Sequence, residues 1–546
     1  MKIFTGFLLL MLLLAPVGTD ACTLMAAGKN ATRDGSVLVS HTDTGQDSRI
    51  YRVAAATYKP GAMAPVYLDI QDATLPLRND GRVIGYIPQV ASTYAYFHSA
   101  YSHINEHQLA IGESTTMQRR ELAVTHETGK QIMTIEQAMI FALQRFRKAR
   151  PATEFIGNLC TEYGFLPSSG ADGSEALIIA DPDEAWIFEV FSVGPGWTPE
   201  SGSPGAIWAA RRLPDDHAVM IPNWSTIKRI DPEDKTNFMV SDNYMQAAID
   251  RGWYDPASGK PFIWQDAYAP LPLEWATSRY WSFFGTFAPH ALDLLPDRTI
   301  GNDPHKGLNQ YFQVVEPLAF YPFSVKPEKK LTPRDFMAFQ RSVHEGSVYD
   351  MSEDPAWYVH DGKGGLEKSP LATPFPGRDL RRLLRITYRR PVARHRGHYG
   401  MIAQLRSWLP AAVGGIYYVY LDNPYFSPYV PIYAGNLSVD PSYNTYNPEK
   451  YDPESARWAI DFVDNLANLR FQDAIADVRA RRDPFEEKMF REMEKLEEHA
   501  AALLKKNPRK ARKLLTDFSN RQMRRVTGMF LELRDELIVK YTNNRE

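Results

Sequence analysis

The sequence predicts an α+β protein, and three observations carry that prediction. The segments "TLMAAG" (23–28) and "VLVSHTDTG" (37–45) are apolar-leaning strands joined by "KNATRDGS", where Asp34-Gly35 supplies a tight bend. Strand-like runs return in "EALIIA" (175–180), "EAWIFEV" (184–190) and "AVMIPN" (218–223). Helical spacing appears in "TIEQAMIFALQRFRK" (134–148), with Thr134 as the cap and Glu136 in the first turn. A different texture fills the C-terminal part. Residues 456–506 and 511–541 are amphipathic and highly charged, with "NPRK" (507–510) between them, and predict a helical hairpin or appendage packed on the core or in an oligomer interface. The expected divisions are a leader over 1–21, a main domain over 22–450 and the helical appendage over 451–546.

The leader reads MKIFTGFLLLMLLLAPVGTDA. Lys2 gives a basic start, Ile3 to Leu14 are apolar, and small Thr19 and Ala21 stand three and one residues before Cys22. This is the pattern of a secretory signal peptide cut between Ala21 and Cys22. The apolar run is shorter than the ~20 residues of a membrane-spanning helix, so the expected product is exported, periplasmic or secreted, without a stable membrane anchor. Loss of Lys2 and Asp20 together leaves the formal net charge of -3 unchanged. A near-neutral chain offers no electrostatic footprint for nucleic acid. With 44% hydrophobic and 12% aromatic residues in 546, there is ample material for a packed core.

Cys22 follows the predicted cut, and the chain has one other cysteine, Cys160. Three readings compete. Export permits a Cys22–Cys160 disulfide, but Leu159, Tyr163 and Phe165 around Cys160 suit a buried helix end, where a free cysteine behaves as a small apolar residue. A lipid anchor asks for Leu three residues before the cysteine; Thr19 stands there, with Asp20 next. Such a lipoprotein would be non-catalytic, with its thiol capped. The third reading is a nucleophile. Cleavage before Cys22 would place a free α-amino group, of pKa near 8, beside a thiol that needs a base to become a thiolate. Asp43 and His41, near the end of the second strand, would then lie close to the new terminus. Asp43 either orients the amine or is a solvated strand-end residue.

The stretch "CTLMAAGKNATRDGSVLVSHTDTG" resembles the opening of the N-terminal-cysteine dipeptidases, the dipeptidase A or PepD-like group of N-terminal-nucleophile hydrolases. Further similarities follow in order: "NEHQLAIGEST" (105–115), "GSEALIIADPDEAWIFEV" (173–190), "WAARRLPDDHAVMIPNWSTI" (208–227), "HEGSVYDM" (344–351) and "QLRSWLPAAVGGIYYVYLDNPYFSPYVPIYAG" (404–435). The resemblance implies a four-layer αββα sandwich and a cysteine-type dipeptidase. Cys22 would attack an amide carbonyl and form a thioester while its own amine moves the proton. The same chemistry would serve an acylase of non-peptide linear amides, akin to penicillin V acylase. The chain departs from the family where Arg is common near the end of the second strand and His41 stands, and where Gln108 replaces a Gly.

Negative charge builds on the carbonyl oxygen during such an attack, and donors aimed at it are worth about 10²–10³ in rate. The resemblance places Asn105 and Asn223 in that role; otherwise they are turn residues. A dipeptide also presents a carboxylate, which Arg binds with two parallel hydrogen bonds. Arg279, among Trp275, Tyr280 and Trp281, is the candidate substrate contact along with His41, and Arg211 and Arg212 stand behind it. His103 and His107, four apart, and His395 and His398 lack a third ligand, so neither a metal nor another cofactor is expected. The expected partner is a dipeptide or other small amide, and a homo-oligomer is left open.

Overall fold

The computed structural model describes residues 22–44, 47–77, 81–168, 173–269, 274–293, 321–347, 349–395 and 397–542. The predicted leader lies outside the described residues. The chain builds a mixed helix-and-sheet fold in which two antiparallel sheets carry the centre.

The six-stranded sheet holds β1 (Thr23–Ala27) and β2 (Val37–Asp43) next to each other, flanked by Ala218–Ile221 beside β1 and by Tyr399–Leu405 beside β2. The expected hairpin is present: Thr23 pairs with Thr42 and Leu24 with His41. Its connection turns at Gly35, whose φ of 85° lies where a side chain is strained. Tyr399 pairs with Asp43 and Met401 with His41, so the end of β2 is enclosed on both edges. The strand expected at 218–223 runs Ala218–Ile221 and closes the other edge of β1.

The eight-stranded sheet contains β3 (Ser102–Asn105), β4 (Ala110–Met117), β5 (Gly173–Ala180) and β6 (Ala185–Phe191) as successive neighbours. All residues of β5 and β6 are buried, so both faces of these strands are covered rather than one facing solvent. The two sheets meet closely at Gly112 in β4. A Cβ there would stand 3.1 Å from Leu24 Cδ2 and 3.1 Å from the Ser40 carbonyl oxygen. A side chain at this point would hold the sheets apart.

Helices cover both sheets. Helix α1 (Ile135–Arg145) begins as expected, with Thr134 Oγ1 accepting from the Gln137 amide and Glu136 in the first turn. Helix α2 (Ala149–Tyr163) lies on the eight-stranded sheet, where Trp208 fits against Gly157 and donates from Nε1 to Thr161 Oγ1 at 2.9 Å. On the six-stranded sheet, Gln340 of helix Pro333–Gln340 donates to the carbonyls of His41 (3.2 Å) and Met401 (3.4 Å).

The C-terminal part forms helices Ala456–Ala467, Phe471–Leu504 and Pro508–Tyr541. Asn507, in the interrupting "NPRK", caps the last of them by accepting from the Lys510 amide. These helices join the same hydrophobic core as the sheets, through residues such as Met489, Met523, Val526 and Leu537. Partly buried pairs between Arg406 and Glu497 and between Arg341 and Glu486, each at 2.6 Å, tie them to the main body. Cys160 is a free, buried thiol in α2 and Cys22 is also free, which rules out the disulfide reading in this structure.

Candidate active site

Cys22 stands at the mouth of β1, and its position follows from the hairpin. The Thr23 amide donates to Thr42 Oγ1 at 2.9 Å, which fixes the first peptide of the strand against the end of β2. The Cys22 thiol then lies 3.5 Å from Asp43 Oδ1 and 3.5 Å from Glu113 Oε2 of β4. It is almost wholly buried, yet it lines a cavity of about 800 Å³ together with Asp43, Tyr101, Thr115 and Glu136. The structure thus brings together Cys22 and Asp43, as the sequence suggests.

The electrostatics of this chain hold the thiol neutral. Burial pushes its pKa well above the ordinary thiol value, and the negative charges of Glu113, Asp43 and Glu175 push it further. Glu113 is itself raised to about 8, with burial the main cause. Glu175, on the neighbouring strand, is raised well above the usual carboxyl range by burial and then by Glu113. Glu175 has both Glu113 and the Thr115 hydroxyl as hydrogen-bond neighbours. A shared proton is the ordinary outcome for two carboxyls that cannot both ionise.

Arg279 reaches the site from beneath. It is fully buried, and its two terminal nitrogens donate to the Cys22 carbonyl (3.2 Å), Thr23 Oγ1 (2.6 Å), the Pro222 carbonyl (2.8 Å) and Asn223 Oδ1 (2.9 Å). The sequence suggests Arg279 as a substrate contact; these bonds place its guanidinium against the backbone of Cys22 and the turn at Asn223. Arg211 stacks on Phe323, its guanidinium carbon 4.1 Å from the ring centroid, and Arg212 pairs with Glu184 and Asp215.

Asn223 adopts a left-handed backbone, φ 64°, and is tied to Cys22 through Arg279. Its amide nitrogen donates to Ser114 Oγ (3.0 Å) and to the Thr115 carbonyl (2.8 Å), while Oδ1 accepts from Arg279 and Arg390. Both side-chain N–H groups are therefore used, and in this conformation the side chain has none to offer a carbonyl oxygen. Asn105 is committed elsewhere. Its Nδ2 donates to the carbonyls of Leu143 and Phe146 at the end of α1, and its Oδ1 accepts from the His107 and Leu109 amides. For Asn105, to which the resemblance gives an oxyanion role, the structure shows a side chain that caps a helix end and closes the β3–β4 turn.

His41 is fully buried among Tyr101, His103 and Tyr399. The Glu113 amide donates to its Nδ1 at 3.0 Å, so the neutral ring carries its proton on Nε2. Burial lowers its pKa well below the usual imidazole value, which keeps the ring neutral. One ring nitrogen lies within 4.8 Å of the Cys22 sulfur and an Asp43 oxygen, the geometric outline of a three-ligand metal site. The donor set fits a metal poorly: one nitrogen is occupied by a backbone N–H, and the other bears the ring proton. His41 lies behind the residues that line the cavity, and its bond to β4 ties the two sheets together beside Cys22.

Glu113, Glu175, Tyr101 and Arg390 are site residues that sequence reasoning did not single out. A signal existed for the first two. Glu113 and Glu175 are acids inside fully or almost fully buried strands, and a charged residue is rarely buried without a reason.

The structure places Cys22 among carboxyl groups at a cavity, and the relatives it matches are peptidases. A match to the family described as Peptidase family C69 covers residues 21–483, so the chain belongs to that family, the dipeptidase A family. The match runs past the expected domain boundary at 450 and ends within helix Phe471–Leu504. The chain is similar to a "Probable dipeptidase" of Salmonella dublin, at 24% identity over 77% of this chain and 82% of that protein. It is similar to a "Probable dipeptidase" of Latilactobacillus sakei, at 23% over 80% and 79%. A "Probable dipeptidase B" of Streptococcus pyogenes serotype M1 is 24% identical over 87% of this chain and 82% of that one.

Proposed function

We propose that this protein is an exported cysteine dipeptidase whose nucleophile is made by removal of residues 1–21. The observation that carries the reading is the place of Cys22: one residue before β1, inside a cavity, 3.5 Å from two carboxyl groups. Two facing sheets with helices on their outer sides are the arrangement expected of a four-layer αββα N-terminal-nucleophile hydrolase.

The electrostatics give the processing step a chemical purpose. With Cys22 inside a longer chain, its acidic neighbours oppose the thiolate. Cleavage before Cys22 would create an α-amino group in that same acidic surrounding. Asp43 and Glu113 would hold it, and the amine would take the thiol proton. The thiolate attacks the substrate carbonyl carbon, forming the C–S bond. The resulting tetrahedral oxyanion needs a donor, and the Tyr101 hydroxyl lines the same cavity and is kept protonated by burial and by Glu113. The α-ammonium returns its proton to the leaving amine as the C–N bond breaks. Water, deprotonated by the same amine, then hydrolyses the thioester and restores the thiol. Carboxylates on the cavity wall suit the free ammonium of a dipeptide.

The test is the intact mass and N-terminal sequence of the exported protein, followed by a dipeptide panel on the wild type and on Cys22→Ser. A chain that starts with free Cys22, cleaves dipeptides and loses more than 10³-fold activity on substitution supports the reading. A different terminus, or a lipid on Cys22, would sink it. Turnover of N-acyl amides with none of dipeptides would move the assignment to an acylase.

A further inference from the structure

The cavity around Cys22 is unevenly charged. Its described lining carries the carboxylates of Asp43, Asp69, Asp72 and Glu136, and among those residues one cation, Arg82. Arg82 opens the strand Arg82–Pro88, which pairs with Met63–Leu68 to form a hairpin along the cavity. It is exposed, and no hydrogen bond or salt bridge joins its side chain to another described residue; its charge is felt weakly by exposed Glu127.

The hairpin is fastened. Gln71 Nε2 donates to Glu136 Oε1 at 2.6 Å, Ser168 donates to the other Glu136 oxygen, and the Tyr67 amide donates to Gln137 Oε1 at 3.2 Å. The wall that bears Arg82 is thereby held against the start of α1, on which the cavity also borders. Arg279 is committed beneath the nucleophile to four acceptors. Along the described lining, Arg82 is therefore the one cation that a substrate carboxylate inside this cavity can meet.

We propose that Arg82 receives the α-carboxylate of the substrate and so restricts cleavage to peptides that end one residue beyond the scissile bond. The inference rests on the dipeptidase reading and deepens it. In a dipeptide a single residue, roughly 3.5 Å of chain, separates the attacked carbonyl from the terminal carboxylate. A tripeptide carries that carboxylate one residue further, towards a wall that is fastened in place. Arg suits the task because its guanidinium matches a carboxylate with two parallel bonds.

The experiment compares kcat/KM for alanyl-alanine and for its C-terminal amide in the processed enzyme and in Arg82→Gln and Arg82→Lys. The wild type is expected to favour the free acid by roughly tenfold or more, the scale of a charge-assisted bond. Arg82→Gln should bring that ratio close to one, through KM, and Arg82→Lys should keep part of it. Thermal unfolding of each variant checks that the fold is intact. A wild type that does not discriminate, or an Arg82→Gln enzyme that discriminates as well as the wild type, overturns the inference and leaves the dipeptidase reading standing. A wild type that cleaves neither compound, nor any other dipeptide, overturns both.

Discussion

Arg279 donates to the carbonyl oxygen of Cys22 at 3.2 Å while also holding Asn223 Oδ1 at 2.9 Å. One buried guanidinium thus fixes the backbone of Cys22 to the left-handed turn at Asn223. Arg279→Lys keeps a charge but supplies a single ammonium in place of a planar fork. We expect kcat to fall at least 10²-fold. Arg279→Ala, which strands four acceptors, should lower unfolding stability by more than about 3 kcal/mol. Denaturant titration and steady-state kinetics measure the two effects. A lysine variant with wild-type kcat would show that the clamp is dispensable.

Glu113 holds its proton up to about 8 in the folded chain, whereas an ordinary glutamate releases it near 4.5. Between those values the folded state binds more protons than the unfolded state. Stability contributed by this group is therefore lost as pH rises through that window. Glu113→Gln should flatten the decline in unfolding free energy between pH 5 and pH 8 and gain most, relative to wild type, at the upper end. Glu175 would still supply a fall of the same sign. Denaturant titrations at pH 5, 6.5 and 8 decide it; parallel curves for the two proteins would refute the assignment.

The buried histidines act with the opposite sign. His98 is lowered to about 3 and His103 to about 4, in both cases mainly by burial. Below pH 6.5 the unfolded chain takes up protons that these rings refuse, so stability should rise as pH rises from about 4 to 6.5. His98→Gln and His103→Gln should each reduce that rise. Melting temperature across this interval is the measurement, and an undiminished rise in both variants would count against it.

Glu136 receives bonds from Gln71 and Ser168 and so fastens the Met63–Pro88 hairpin to the start of α1. Glu136→Ala should release that wall. Amide hydrogen exchange across 63–88 is expected to speed up, and KM to rise more than kcat falls. Unchanged exchange in this hairpin would remove the latch from the account.

Gly112→Ala tests the closeness of the sheets. Its Cβ would meet Leu24 and the Ser40 backbone oxygen at 3.1 Å, and a backbone atom yields less readily than a side-chain end. A loss of about 1–3 kcal/mol is expected from overpacking, with kcat reduced as β4 and Glu113 shift away from Cys22.

Much of the fold was legible where a local rule governs it. The β1–β2 hairpin followed from two apolar runs around Asp34-Gly35, and the start of α1 from Thr134 and Glu136. The break between the two long C-terminal helices followed from Asn507 and Pro508. Asp43 was placed near Cys22 because both lie at one end of a single hairpin, where register alone fixes the distance.

The site's other members resisted for a physical reason. Asn105 and Arg279 carry the right chemistry, but a side chain's role depends on which partners packing supplies. Asn105 met the carbonyls ending α1, and Arg279 met the backbone of Cys22. Glu113 stands 91 positions from Cys22 in sequence, and only the stacking of one sheet on the other brings them together.

The sequence by itself determined the α+β class, the hairpin that presents Cys22, the family and the resemblance to cysteine dipeptidases, because these depend on local periodicity, turn chemistry and motif order. The tertiary structure alone decided the acidic surroundings of the thiol, the burial of Arg279 and His41, and the exposure of Arg82 on the cavity wall. Charge, burial and hydrogen-bond partners are properties of packed neighbours, and for this site those neighbours come from both sheets and from segments far apart in the chain.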